Sequence, residues 1–147
     1  MAWQRGRNKG AIVADHFVQQ YGPAALVTGA SSGIGWAFAE ELAARGFELV
    51  LSARRRERLD ELAGLLAARH DTRVQIVEAD LIDAAAPAAL AAACQGRDIG
   101  LVVSNAGFGL KGAHEGNDAA EMTRMLMVNC NAPFQLARDF LPRRKER

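Results

Sequence analysis

Residues 28–35 read Thr28-Gly29-Ala30-Ser31-Ser32-Gly33-Ile34-Gly35, a run with three glycines in seven positions. Side-chain-free positions permit a tight turn with positive φ and uncover backbone amides. At the start of a helix those amides, with the positive end of the helix dipole, attract anions. The expected chemistry is a grip on a diphosphate, with Gly29, Ser31, Ser32, Gly33, Ile34 and Gly35 around it and no Cβ where the phosphate comes closest. The spacing is G-x-x-x-G-x-G, not the G-x-G-x-x-G dinucleotide fingerprint, and no Gly-Lys-Ser/Thr follows, so it is not a P-loop. Further along stands Ser52-Ala53-Arg54-Arg55-Arg56, with no acid until Glu57. A carboxylate there would bond the ribose 2′-OH of NAD. Arg54 instead suits charge-assisted bonds to a 2′-phosphate, so NADP is expected over NAD. Three cations at a helix start oppose its dipole, which favours an anion-binding purpose. The plainer readings are a ligand-free glycine turn and a solvated helix start.

Three further polar sites fall at the ends of apolar runs: Asp80-Leu81, Asn105-Ala106-Gly107, and Asn129 within Met127-Val128-Asn129. Asp80 could simply cap a helix, and Asn105 could be a turn residue. Asn129 lies among Met and Val, where an unpaired amide would cost about 1–3 kcal/mol. That favours a function over plain core hydrogen bonding. The two cysteines, Cys94 and Cys130, match no metal spacing and read as reduced and structural.

These residues need a scaffold. Short apolar runs at 24–28, 48–52, 74–78 and 99–104 read as buried parallel strands. Helical patterns fill the gaps: 33–45 with Ile34, Phe38 and Leu42 on one face, 56–69 with Leu59, Leu62, Ala63 and Leu66 together, and a short 87–94. The longest spans 119–141, with Met122, Met125, Leu126 and Val128 on one side and a kink at Pro133. The β-α-β-α-β-α-β-α order predicts an α/β fold: a doubly wound parallel sheet of about four strands in the order 3-2-1-4. Residues 1–20 form an extension whose 11–20 stretch is a packing helix, and 21–147 form the nucleotide-binding domain.

The 147 residues suffice for one domain, and half are hydrophobic. Eighteen Lys+Arg against seventeen Asp+Glu leave a net charge of +1, which argues against nucleic acid as a partner. No apolar run spans a membrane and no secretory signal stands out, so no membrane partner and a cytoplasmic location are expected.

The glycine loop resembles the short-chain dehydrogenase/reductase family, whose TGxxxGIG motif it matches at every defined position. The resemblance extends from about residue 21 to 141. It implies a Rossmann-type fold, with Asp80 accepting from the adenine amino group and Leu81 beside it. Asn105, Ala106 and Gly107 correspond to the NAG motif near the adenosine ribose. Asn129 corresponds to the helix asparagine of a proton relay. NADP-preferring members carry an arginine where Arg54 stands.

The family's chemistry also uses a Ser and a Tyr-x-x-x-Lys pair, the tyrosine handling the proton while hydride moves between nicotinamide and carbonyl carbon. The only tyrosine here is Tyr21, and Ala25 stands four residues beyond it. Of the catalytic set only Asn129 carries over. The chain therefore resembles the first half to three-fifths of a member: the NADP-binding portion of an oxidoreductase of small carbonyl or alcohol compounds, expected to be inactive alone. The alternative is a non-catalytic dinucleotide-binding or partner-binding half-domain. A methyltransferase-like Rossmann protein fits the glycine spacing poorly. The fourth strand would be a sheet edge, so the isolated chain is expected to be marginally stable or to form a homo-oligomer through the 119–141 helix.

Overall fold

The computed structural model describes the backbone of residues 11–145 and the side chains of 16–142; residues 1–10 of the extension lie outside the described residues. The chain runs α1 (Ala11–Tyr21), β1 (Ala24–Thr28), α2 (Gly33–Ala44), β2 (Glu48–Ala53), α3 (Arg56–His70), β3 (Val74–Glu78), α4 (Ala86–Ala93) and β4 (Ile99–Val103). A 3₁₀ turn (His114–Gly116) leads to α5 (Ala119–Leu126), a π turn (Met127–Asn131) and α6 (Ala132–Lys145). The four strands are parallel, in the order β3-β2-β1-β4. This is the doubly wound α/β arrangement expected from the strand–helix alternation.

Alternation of side chains along the strands divides the core in two. Ala25, Val27, Leu49 and Leu51 point to the face covered by α2 and α3, where Leu42, Phe47, Leu59, Leu62 and Leu66 are buried. Ala24, Leu26 and Val50 point to the other face, against Leu90, Leu136 and Phe140 of α4 and α6. A strand buried on both faces has no polar side, hence the uninterrupted apolar runs. The α1 helix packs Phe17, Val18 and Tyr21 onto the first of these clusters. Phe17 meets the Phe47 ring edge-on at 5.9 Å and lies under the Arg45 guanidinium at 5.0 Å.

Two helices differ from the sequence expectation. In α2 the buried residues are Gly35, Ala39, Leu42 and Ala43, whereas Ile34 and Phe38 are 69% and 45% exposed. The face that approaches the sheet uses small residues so that helix and strand backbones come close, and the bulky pair is turned outward. The 119–141 helix is longer than expected and is broken before its proline. The break is a turn of π helix, in which the Ala132 N–H donates to the Met127 carbonyl, five residues back. Pro133 has no N–H to offer either the Val128 or the Asn129 carbonyl, so neither helical register runs through this point without a gap. Of the four residues assigned to one apolar side, only Val128 is buried; Leu126 is 56% exposed. Cys94 is a core residue as expected, but Cys130, in the π turn, is exposed and is not structural. Among the described residues no helix is long and apolar enough to cross a membrane.

Candidate functional site: a cleft at the carboxyl ends of the strands

In this topology the connections that follow β1 and β4 lead to helices on opposite faces of the sheet, and a crevice opens beyond the carboxyl ends of these strands. A cavity of about 410 Å³ sits there. Its lining comes from every strand end: Gly29, Ser31, Ser32 and Ile34 after β1, Arg54 and Arg55 after β2, Asp80 and Leu81 after β3, and Asn105, Ala106 and Gly107 after β4. Ten of the thirteen residues singled out in the sequence therefore line one cavity. Gly33, Gly35 and Asn129 do not line it.

The three glycines of the loop differ in what surrounds them. A Cβ on Gly35 would meet the Gly29 carbonyl oxygen and stand 2.5 Å from Asn105 Nδ2. A Cβ on Gly29 would stand 2.8 Å from the Ala106 Cα. At both positions the absence of a Cβ lets the loop pack against protein. Only Gly33, at φ +57° with nothing within 4 Å of a Cβ, adjoins open space.

Thr28 and Asn105 fix this packing. The buried Thr28 Oγ1 accepts from the backbone N–H of Asn105 and of Ala106, both at 3.1 Å, and donates to the Val103 carbonyl at 3.4 Å. Asn105 Nδ2 donates to the Thr28 and Gly29 carbonyls at 3.2 and 3.3 Å. The end of β4 is thereby stapled to the end of β1. Thr28 received no role from sequence, although a threonine ending a fully buried strand has a hydroxyl that must find partners.

The start of α2 is open to a ligand. Ser32 is its N-cap residue in extended conformation, yet its side chain makes no capping bond. The first N–H groups of a helix have no intrahelical partner, and Ile34, in this first turn, lines the cavity. The Ser32 hydroxyl instead accepts from Arg55 Nη2 at 3.0 Å, and the Ser31 hydroxyl accepts from the same nitrogen at 3.1 Å. Arg56 pairs with Asp60. Among the described residues, Arg54 and Arg55 have no ion pair. The sequence indicated a cation here and pointed to Arg54; it could not tell which of three consecutive arginines would reach the glycine loop.

Asp80 Oδ1 accepts from the Ile82 N–H at 3.1 Å, a local turn bond that leaves Oδ2 free. Leu81 is buried with Ala86, Val128 and Ala132, and Ala79, Ile82, Ala106 and Phe108 pack on this cluster. The cavity thus has an apolar end beside a carboxylate. Asn129 is not in the core as its neighbours implied. It is exposed, and its amide forms a reciprocal pair with the Phe108 backbone, accepting from the N–H at 3.1 Å and donating to the carbonyl at 2.8 Å. It ties the π turn to the loop after β4.

The residues present suit a dinucleotide: an uncapped helix start for a diphosphate, two arginines without a carboxylate partner among the described residues at one side, and an apolar slot with a hydrogen-bond acceptor for a purine. Fold and site define a doubly wound, dinucleotide-type α/β protein. The sequence profile of the short chain dehydrogenase family matches residues 23–147, and the chain belongs to that family. It is similar to the very-long-chain 3-oxoacyl-CoA reductase-B of Danio rerio, 32% identical over 127 residues, covering 84% of this chain and 41% of the relative. Among solved structures it resembles the bulky-bulky ketone specific alcohol dehydrogenase of Comamonas testosteroni, with TM-score 0.80, 37% identity, and coverage of 84% of this chain and 50% of the other. A short-chain dehydrogenase of Sphingobium yanoikuyae in complex with NADPH gives 0.79 and 38%, covering 82% and 48%. The chain spans about half the length of these proteins.

Proposed function

We propose that these residues form the NADP-binding portion of an oxidoreductase that moves hydride between NADP(H) and a small carbonyl or alcohol compound. The carrying observation is the cleft that joins the uncapped start of α2 to Arg54 and Arg55, which have no ion pair among the described residues. Gly29, Ser31, Ser32, Gly33, Ile34 and Gly35 would surround or shape the diphosphate site. Arg54 would take a 2′-phosphate. Asp80 and Leu81, with Ala106 and Gly107, would hold the adenosine, and Asn105 would keep this floor in place. The NADPH complex of the Sphingobium yanoikuyae relative supports the choice of cofactor. When bound, the nicotinamide supplies the hydride; this chain's own residues bind, orient and exclude water.

Turnover needs a proton donor beside the carbonyl. Tyr21, the one tyrosine, ends α1 ahead of the first residue of β1. That places it at the amino ends of the strands, the far side of the sheet from the cleft, about 15 Å away along a five-residue strand. Asn129 is the one relay residue implied by family resemblance, and its side-chain amide is engaged with Phe108. The 147-residue chain is therefore expected to bind NADP(H) without reducing carbonyl compounds. A half-domain that binds the dinucleotide or a partner without chemistry is the second reading, favoured by the position of Tyr21.

Calorimetric titration with NADPH and NADH tests the binding claim. NADPH should bind more tightly, and Arg54→Asp should weaken it by about ten- to hundredfold, as expected for one lost charge-assisted bond, while NADH changes little. An unchanged preference would remove the cofactor assignment. We also infer that copies of the chain associate through the 119–145 helix. Its exposed large apolar side chains among the described residues are Leu126, Phe134 and Leu141, which are 56%, 66% and 57% exposed.

A further inference from the structure

The sheet has two edges, and they differ. The β3 edge carries Gln75 and Glu78 and starts beside the Arg73–Glu48 ion pair. Polar and charged groups of this kind keep an edge from pairing with another chain. The β4 edge has none of them: residues 99–104 include no charged residue and no proline. The β4 strand is hydrogen-bonded to β1 on one side only, so a row of its backbone N–H and C=O groups meets no strand among the described residues. Beside that edge runs a groove of about 240 Å³, whose walls include Leu101 and Val102 of the strand and Pro133, Leu136, Phe140 and Leu141 of α6. Leu101-Val102-Val103 is apolar at consecutive positions, the pattern of a strand covered on both faces. We propose that a second copy of the chain fills this edge: β4 pairs antiparallel with β4 of that copy about a two-fold axis at Val102, making one eight-stranded sheet. This pairing rests on the association inferred for the 119–145 helix and adds a strand and a register to it.

The register follows from the faces of β4. Leu101 and Val103 pack on the cluster under α2 and α3, and Val102 packs on the cluster under α4 and α6. The pairing with β1 shifts from Ala24–Ile99 to Ala25–Leu101, which makes Gly100 an extra residue, and regular strand follows it. An axis through Val102 sets each Leu101 opposite Val103 of the other copy on one face, and the two Val102 side chains opposite each other on the other face. Directly opposed side chains are the pairs that stabilise a sheet. The axis is perpendicular to the sheet, so it also brings the two α6 helices together, antiparallel, beside the joined grooves. Phe134 and Leu141, two helical turns apart in α6 and 66% and 57% exposed, offer roughly 200 Å² of apolar surface, about a quarter of what each partner gives to a stable interface. Arg138 lies between them in helical spacing with Asp139 next to it, and neither has an ion pair among the described residues. A two-fold contact can apply Arg138 of each copy to Asp139 of the other, so this face is complementary to itself in charge.

The test uses the 147-residue chain, analytical ultracentrifugation, and thermal melts to verify that each variant is folded. Val102→Lys sets two cations opposite each other and should raise the dissociation constant of the dimer by about tenfold or more. Val102→Thr keeps a β-branched, uncharged side chain and should stay within about threefold of the wild type. The register is read by cross-linking in Cys130→Ser, which removes the exposed thiol. Under mild oxidation Val102→Cys should cross-link to itself. Leu101→Cys alone should not, because its copies are diagonal and about 7–8 Å apart, whereas Leu101→Cys mixed with Val103→Cys should. Cross-linking of Leu101→Cys to itself, with none for Val102→Cys, would overturn the proposal. A dimer that is lost in Leu126→Ser with Phe134→Ser but kept in Val102→Lys would show association through the helix alone; the strand pairing would fall and the helix inference would stand. A chain that is monomeric at every concentration would leave the edge to a strand of another protein, and both would fall.

Discussion

Two glycines of one loop should fail in opposite ways when each is replaced by alanine. In Gly35→Ala the new methyl runs into the Gly29 carbonyl oxygen and stands 2.5 Å from Asn105 Nδ2. The carbonyl is backbone, so the loop or the helix has to move. Forcing an extra carbon into a packed site costs about 1–3 kcal/mol. Displacing Asn105 also weakens its bonds to the Thr28 and Gly29 carbonyls, each contributing about 0.5–1.5 kcal/mol. A total of about 2–4 kcal/mol corresponds to a Tm lower by roughly 5–15 °C in a domain of this size. In Gly33→Ala the methyl meets no protein atom within 4 Å. The cost is the φ of +57° alone, about 1–2 kcal/mol for a residue with a Cβ. On the proposed function that methyl would adjoin the approach of an anion to the start of α2.

The assays are thermal unfolding followed by circular dichroism and NADPH titration at a temperature where both variants are folded. Gly35→Ala should melt earlier than Gly33→Ala by several degrees. Gly33→Ala, the more stable of the two, should lose the greater part of its NADPH affinity. If Gly35→Ala melts with the wild type while its binding is lost, the contacts described for this loop are not what holds it. If Gly33→Ala is the less stable variant, the division of labour is refuted.

Thr28→Val keeps the shape of the side chain but leaves the Asn105 and Ala106 N–H groups without their acceptor; a loss of about 2–4 kcal/mol is expected in chemical denaturation, since two part-buried donors go unpaired. Asn129→Ala removes both bonds to the Phe108 backbone, which lie at the surface, so stability should fall by only about 1 kcal/mol while hydrogen exchange at the Phe108 amide quickens. Leu126→Ser with Phe134→Ser removes two of the three exposed apolar side chains of the 119–145 helix. Size-exclusion chromatography with light scattering should show the dimer giving way to monomer, and a wild-type chain that is already monomeric would remove the proposed association.

The sheet was legible because its strands obey a strong rule. Runs such as Leu49-Val50-Leu51 are apolar at consecutive positions, and only burial on both faces tolerates that. Helix faces were less legible. Ile34, Phe38 and Leu42 have helical spacing, yet of these only Leu42 is buried, with Gly35, Ala39 and Ala43. Spacing alone identifies an apolar stripe but not how near the sheet comes, and close approach selects small residues over large ones. The π turn was not legible either. Pro133 marks a place where a helix must adjust, but whether by a kink or by an extra residue is settled by packing, here by burying Val128 and Ala132 against Leu81 and Ala86.

The site shows the same division between what a residue type announces and what its neighbours decide. Glycine announces missing space, and three glycines within seven residues suggested a ligand. Two of the three spaces are filled by Asn105, Ala106 and the loop's own carbonyl. This is a consequence of the topology. The β1 and β4 strands are neighbours, so the turns that follow them emerge side by side and cannot both carry side chains at the point of contact. The remaining amides, at the start of α2, are usable only because Ser32 does not cap them, and Ser32 is engaged elsewhere because Arg55 stands across the cleft. The openness of the helix start and the placement of the cation are thus one arrangement. A substitution that freed the Ser32 hydroxyl would let it turn back onto its own helix and compete with the incoming anion for the same N–H groups.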